Sequence, residues 1–233
     1  MSENIKKITK AFKVDLDSRE NQSILKPSAR HFNHQAHQVN EVAKKINKLI
    51  ENAQYSNDDI VLNHIKIKEA FFSPFKPQLK RAQVFLSHSH ADKNKALKVK
   101  NYLEEDLDTE CVFIDSLFWD YKDDVLSELA TYDNTSKIED AFTLILRESL
   151  EDMIEKCPYF VFLQSNNSVS NQGLSRITYS AWIYEELKIT HSISSKSRLT
   201  IMMESFQASH DISPFLEHLE TITLRKLSRI INS

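Results

Sequence analysis

From Phe32 the apolar residues fall at Phe32, Ala36, Val39, Ala43, Ile46, Ile50 and Ala53, alternately four and three apart. A seven-residue repeat of this kind predicts a helix over about residues 31–54 whose narrow seam packs on another helix and offers a route to self-association. His31, His34 and His37 fall outside the seam and drift round the helix, so they read as a solvated polar face rather than a zinc cluster. Periodicity leaves 56–69 open between a short helix capped by Ser56 and an extended segment. Pro74 and Pro77 then break regular structure and mark a boundary, giving a helical N-terminal extension over 1–78 and a second domain over 79–233.

Beyond that boundary the pattern changes. Short apolar runs stand at 84–86 (VFL), 111–114 (CVFI), 159–163 (YFVFL), 199–203 (LTIMM) and, more weakly, 221–224 (TITL). Runs this short and continuous predict parallel strands buried on both faces. Between them, 93–107 and 138–157 are amphipathic; in the second, Ile138, Phe142, Ile145, Ser149, Met153 and Ile154 share one side, with Arg147, Glu151, Asp152 and Glu155 mostly opposite. Strand and helix in alternation predict a doubly wound α/β domain, in which ligands bind beyond the carboxyl ends of the strands. The first run ends at Ser87-His88-Ser89.

Composition narrows the chemistry. The single glycine, Gly173, excludes a P-loop, a G-x-G-x-x-G turn and a G-x-S-x-G elbow, each of which needs two or more. The absence of an apolar run of about 20 residues and of a signal-peptide core in MSENIKKITK points to a cytoplasmic protein. Cys111 and Cys157, inside apolar segments, read as buried free thiols. Residues 1–80 carry 14 Lys+Arg against 9 Asp+Glu, and 81–233 carry 16 against 24, a split that supports two modules. The basic excess is dispersed and lacks interleaved aromatics, which argues against nucleic acid as a partner.

Two stretches carry candidate chemistry. In VFLSHSHADK, His88, His90 and Asp92 form H-x-H-x-D, close to the run that holds two zinc ions in metallo-β-lactamase-like hydrolases. The sixth position is Lys93, a cation where a ligand is needed, and His191, His210 and His218 lack supporting carboxylates, so zinc is disfavoured. A Ser-His nucleophile also fails, because adjacent residues at a strand end point opposite ways.

The second stretch is SAWIYEELKIT, 180–190. On a helical wheel with Trp182 at zero, Ile183, Leu187, Ile189 and Thr190 mark out an apolar arc, and Glu186 lies at roughly 40°, in its middle. Tyr184, Glu185 and Lys188 occupy the other side. A carboxylate on a core-facing stripe is costly unless paired or used.

VFLSH, then VFID, then YFVFLQS, then S-x-W with a Glu four residues after the Trp, follow the order and rough spacing of a TIR (Toll/interleukin-1 receptor) domain, which residues 82–225 resemble. The resemblance implies a flavodoxin-like, five-stranded parallel sheet. Enzymatic members cleave the nicotinamide–ribose bond of NAD with a Glu four positions after a Trp on the third helix, here Glu186. Ser87, His88, Asp115, Trp119 and Trp182 then become the implied substrate-binding residues, with no metal or prosthetic group and NAD as substrate. The segment Asp115-Ser116-Leu117-Phe118-Trp119-Asp120-Tyr121 corresponds to the loop that gates the pocket, but lacks the Pro-Gly many members carry there. Phe118 and Trp119 could stack on a nicotinamide or adenine ring or make a protein contact. The family further implies ADP-ribose or a derived signal as product, a role in prokaryotic anti-phage defence, self-association, and an effector that senses the product. Two other readings stand beside it: a non-enzymatic TIR scaffold, and an enzyme like the nucleoside deoxyribosyltransferases, acting on nucleosides.

Overall fold

The computed structural model describes residues 10–25, 36–52, 54–56, 59–61, 63–107, 112–114, 116–132, 135–195 and 209–232. In chain order the first elements are β1 (Lys10–Asp15), α1 (Arg19–Ile24), α2 (Ala36–Glu51), the pair β2 (Gln54–Ser56) and β3 (Asp59–Val61), α3 (His64–Phe72) and α4 (Lys76–Arg81). There follow β4 (Val84–Ser87), α5 (Lys93–Leu107), β5 (Val112–Ile114), α6 (Ser116–Leu129), α7 (Thr135–Lys156) and β6 (Tyr159–Gln164). The last are β7 (Ser170–Gln172), β8 (Ser175–Thr178), α8 (Ala181–Ser195), β9 (His210–Asp211), α9 (Ser213–Leu216), β10 (Glu220–Thr221) and α10 (Leu224–Ile231).

The chain divides into two compact units, neither continuous in sequence: Met1–Ala29, Arg81–Asp115 and Glu151–Ser233 form one, Arg30–Lys80 and Ser116–Leu150 the other. The first is α/β. Its five strands run parallel in the order β10-β1-β6-β4-β5. The runs that predict strands form β4, β5 and β6, and Val84, Phe85, Leu86, Val112, Phe113, Ile114, Phe160, Val161, Phe162 and Leu163 are wholly buried, as parallel strands covered on both faces require. Ring contacts run across this ladder, with Phe85 stacked on Phe160 at 5.8 Å.

The remaining strands correct the sequence reading. Residues 199–203 lie outside the described residues, and strand structure near 221–224 is confined to Glu220–Thr221, with Leu224 opening α10. The fifth strand of the sheet comes from the N-terminus. β1 sits between β6 and β10, Phe12 opposite Val161 and Val14 opposite Leu163, so residues 10–15 belong to the sheet and not to a helical extension over 1–78. Phe12, Val14 and Leu16 are fully buried, alternating with Lys13 and Asp15. Lys13 reaches out of the sheet to donate to the Leu216 carbonyl at 2.9 Å, and burial, reinforced by Arg176, lowers its pKa. Asn21, also buried, donates to Asp15 O (2.7 Å) and accepts from Leu224 N (3.0 Å), joining the end of β1 to the first turn of α10.

At the far edge, the buried Lys100 of α5 donates to Val112 O at 2.7 Å and to Glu104, whose Oε1 accepts from Val112 N at 3.1 Å. A charge taken out of water is tolerable when paired in this way, and the pair fixes where β5 begins. Cys157 is a buried free thiol, as expected; Cys111 lies outside the described residues. A separate antiparallel sheet orders β7-β8-β9, and Gly173 takes φ +60° in its tight β7–β8 turn.

The second unit is helical, with the small β2–β3 hairpin. The heptad helix forms as α2, with Val39, Ala43, Ile46 and Ile50 buried. Its apolar side packs on α6 and α3, so the seam meets helices, as expected, and those helices belong to the same chain. Phe32, His31 and His34, and the side chain of His37, lie outside what is described. The open question at 56–69 resolves into strand β3 followed by α3, whose N-cap Asn63 accepts from Lys66 N. Pro74 and Pro77 do not interrupt the chain as expected. They occupy the starts of a one-turn helix and of α4, where a missing N–H costs nothing. Residues 116–121 are no loop either, because α6 begins at Ser116; Asp115 lies outside the described residues. Within this unit Tyr121 is buried between Phe71 (5.2 Å) and Phe75 (5.0 Å), its hydroxyl has no hydrogen-bond partner among the described residues, and burial pushes the phenol above its usual pKa.

Two stability measurements test this architecture. Because β1 is paired on both sides, Phe12→Ala lowers unfolding stability in urea by about 3–5 kcal/mol, against well under 1 for a residue on an extension outside the core. Tyr121→Phe removes a hydroxyl that burial leaves unsatisfied, and raises stability by about 1 kcal/mol with the denaturant slope unchanged; a loss instead contradicts that environment.

Candidate functional site

The carboxyl ends of β1, β6 and β4 lie side by side, and the segments leaving them are rich in Asp, Asn and Ser. β5 follows β4 on one side and β6 lies on the other, which makes the β4–β6 boundary the point where the strand order reverses, the place where open α/β sheets bind ligands. Ser87 ends β4 there with no exposure, and His88 beyond it is also buried. The Ser87 Oγ has no hydrogen-bond partner among the described residues. A buried unsatisfied hydroxyl costs about 1–3 kcal/mol, so its retention asks for a reason.

After Ser89 the chain makes one tight turn, His90–Asp92, closed by Asp92 N donating to Ser89 O at 2.8 Å, and enters α5. Asp92 immediately precedes the helix, but its main engagement is across the sheet. Its buried carboxylate accepts from the Ser165 hydroxyl and from Asn167 Nδ2 (2.9 Å), both just past β6, and lies 3.4 Å from Lys95 Nζ. Lys95 also donates to Asp17 Oδ1 at 3.1 Å, and Asp17 Oδ2 accepts the Asn166 backbone N–H at 2.9 Å. Three strand ends are therefore tied together: the segment after β1 by Asp17, the segment after β4 by Asp92 and Lys95, the turn after β6 by Ser165, Asn166 and Asn167. The Asn166 N–H, with Lys95 adding, holds the Asp17 carboxyl below its usual pKa, and Asp17 in turn raises that of Lys95.

α8 carries the other candidates. Ser180 caps it by accepting from Ile183 N at 3.3 Å. Ile183, Glu186, Leu187, Ile189 and Thr190 are buried, with Glu186 at 0% exposure and Thr190 Oγ1 donating to the Glu186 carbonyl at 2.8 Å. Trp182, one turn before, is half-buried. Glu185 corrects the wheel: placed on the polar side by sequence, it is 4% exposed. It stands only about 40° beyond Ile189, at the edge of the apolar arc, where a modest widening of the covered face takes it in. The opposite side is aromatic, with Tyr184 stacked on His210 at 4.6 Å and Lys188 Nζ 5.4 Å from the Tyr184 ring.

The remaining expectations fall differently. Asp115 lies outside the described residues, as does the side chain of Trp119, whose backbone is helical in α6. The zinc alternative finds no support: His90 is exposed, the Asp92 carboxylate is committed to Ser165, Asn167 and Lys95, and among the described residues no group of three or more His, Cys, Asp or Glu could hold a metal ion. No described helix is long and apolar enough to cross a membrane. The tie between strand ends was missed by sequence reasoning. Its signals were Asp15-Leu16-Asp17 closing an alternating strand and Ser165-Asn166-Asn167-Ser168 closing an apolar one.

The tie has a pH signature. Asp17 has a lower pKa folded than unfolded, so its contribution to stability is complete above the unfolded carboxylate value, near 4, and is lost as pH falls through the folded value. The stability advantage of wild type over Asp17→Asn, from urea melts, is therefore constant between about pH 6 and 7 and shrinks below about pH 4.

Comparison with family models, with curated proteins and with solved structures finds no match to this chain, so its own geometry carries the functional reading.

Proposed function

We propose that this chain is a TIR-type enzyme that cleaves the nicotinamide–ribose bond of NAD, giving ADP-ribose or a signal derived from it. The observation that carries the reading is Glu186: a carboxylate with no exposure, on α8, the first helix after β6, and four residues beyond Trp182. Support also comes from the parallel order β6-β4-β5, which suits a flavodoxin-like sheet, and from Ser87 and His88 at the reversal point. On this reading β1 fills the sheet position beside β6 that a later strand would otherwise take.

The chemistry asks little beyond placement and charge. As the bond from ribose C1′ to the nicotinamide nitrogen breaks, nicotinamide leaves neutral and the ribose gains oxocarbenium character. A carboxylate held away from bulk water stabilises that charge far better than one in solvent, and also orients the ribose hydroxyls. Water then adds at C1′, releasing a proton and ADP-ribose; a hydroxyl or ring nitrogen in its place gives a cyclic or conjugated product. Ser87 and His88 supply polar groups toward ribose or phosphate at the mouth of the crevice, and Trp182 an aromatic face one turn from the carboxylate. The role in anti-phage signalling, and an effector that senses the product, follow from the same family likeness.

The complete burial of Glu186 also suits a non-enzymatic TIR-like scaffold, in which the carboxylate is structural. Incubation with NAD, following nicotinamide release by chromatography, separates the two. Wild type at high concentration releases nicotinamide; Glu186→Gln is slower by about 100-fold or more, while Glu185→Gln and Ser87→Ala keep measurable turnover. Absence of release by wild type, or full activity of Glu186→Gln, overturns the enzymatic reading, and cleavage of nucleosides with NAD untouched points to deoxyribosyltransferase-like chemistry.

A further inference from the structure

We propose that Asp17, Lys95 and the Ser165–Ser168 turn form a latch that holds the crevice at the carboxyl ends of β1, β6 and β4 closed over Ser87 and His88, and that its release admits the ligand. Two independent observations support this. The residues at the ligand end of the sheet are shut away, with Ser87 at 0% and His88 at 4% exposure, so the closed arrangement cannot present them to a solute. The Ser87 Oγ is also left without a partner among the described residues, which makes closure locally unfavourable and gives an arriving hydroxyl or phosphate oxygen a hydrogen bond to gain. A closed state with such a defect has to be held by bonds elsewhere.

Those bonds are graded. Asp92 is 1% exposed and forms the buried part of the tie, through Ser165 and Asn167. Asp17 and Lys95 have side chains 30% and 40% exposed and form the outer part, reachable from solvent. The turn itself is stiff: Ser165 N donates to Ser168 Oγ at 2.8 Å and Asn167 N to Ser165 Oγ at 3.0 Å, so it moves as one piece. Its outer link to the segment after β1 is the Asn166 N–H on Asp17, and Lys95 holds both aspartates at once. Loss of either outer residue releases one side of the crevice and leaves the buried part and the sheet intact.

Hydrogen exchange read by mass spectrometry on the full chain tests the latch without reference to any activity. In Asp17→Ala and in Lys95→Met, peptides covering 86–92 and 164–169 exchange about five- to tenfold faster than in wild type, while 96–103 of α5, the internal control for global unfolding, is unchanged. Unchanged exchange at 86–92 in both variants overturns the latch, and so does a rise that extends equally to 96–103. The catalytic arm rests on the NAD reading: both variants release nicotinamide several-fold faster at low NAD, through a lower KM. Faster exchange with no gain over an active wild type overturns the latch's control of access. Faster exchange with no release from wild type or variants leaves the latch standing and removes the NAD reading.

Discussion

The fold depends on the backbone ladder that β1 makes on both of its sides. β10 pairs with β1, so without residues 10–15 the sheet loses its outer position and β6 becomes an edge. An unpaired parallel edge of the composition YFVFLQ would present apolar side chains and free backbone groups together, the combination that soluble sheets avoid. The ladder is reinforced at its ends. Asn21 links the segment after β1 to the start of α10, and Lys13 reaches the carbonyl of Leu216. The N-terminal segment and the last helix are thereby parts of one core, although more than two hundred positions separate Asn21 from Leu224.

Much of this was legible in the sequence, and the reasons for the misses are physical. Strands β4, β5 and β6 announce themselves because strands covered on both faces need continuous apolar residues. β1 carries its signal in the other form, Phe12, Val14 and Leu16 alternating with Lys13 and Asp15, because Lys13 escapes along the sheet to a carbonyl and does not need an apolar neighbour. The heptad of α2 was correctly a helix, but a repeat specifies a helical partner and not its chain; α6, further along the same polypeptide, supplies it. Asp115–Tyr121 looked like a gating loop through its likeness to a family, whereas residues 116–121, free of Gly and Pro, have no means of stopping a helix and form the start of α6. Glu186 was readable from periodicity. Glu185 was not, since a residue at the edge of an arc is decided by what covers it.

The two buried acids of the α/β unit that the sequence singled out illustrate how differently burial can be met. Asp92 is surrounded by donors, the Ser165 hydroxyl, the Asn167 amide and the Lys95 ammonium, and this set satisfies its buried oxygens. Glu186 sits on an apolar helix face among Ile183, Leu187 and Ile189. The burial of Asp92 is thus met by hydrogen-bond donors from across the sheet, while Glu186 takes its place within the buried face of its own helix.

The scarcity of glycine explains how the strand ends are built. A chain with Gly173 alone cannot form glycine-rich turns that bring backbone close to a phosphate, and it spends that glycine in the β7–β8 hairpin. Among the described residues, three other turns are closed by short polar side chains bonding backbone: Asp17 N to Asp15 Oδ1 at 2.9 Å, Ser165 N to Ser168 Oγ at 2.8 Å, Ser213 N to Asp211 Oδ1 at 2.9 Å. Such turns are more rigid than glycine turns because the side chain that closes them is itself held. They also leave carboxylate and hydroxyl groups at the ends of parallel strands, within reach of one another. The same substitution that denies this protein a glycine-lined phosphate cradle thus provides the Asp17, Asp92 and Ser165 groups that draw three strand ends together, so any ligand entering there has to be met by side chains rather than by bare backbone.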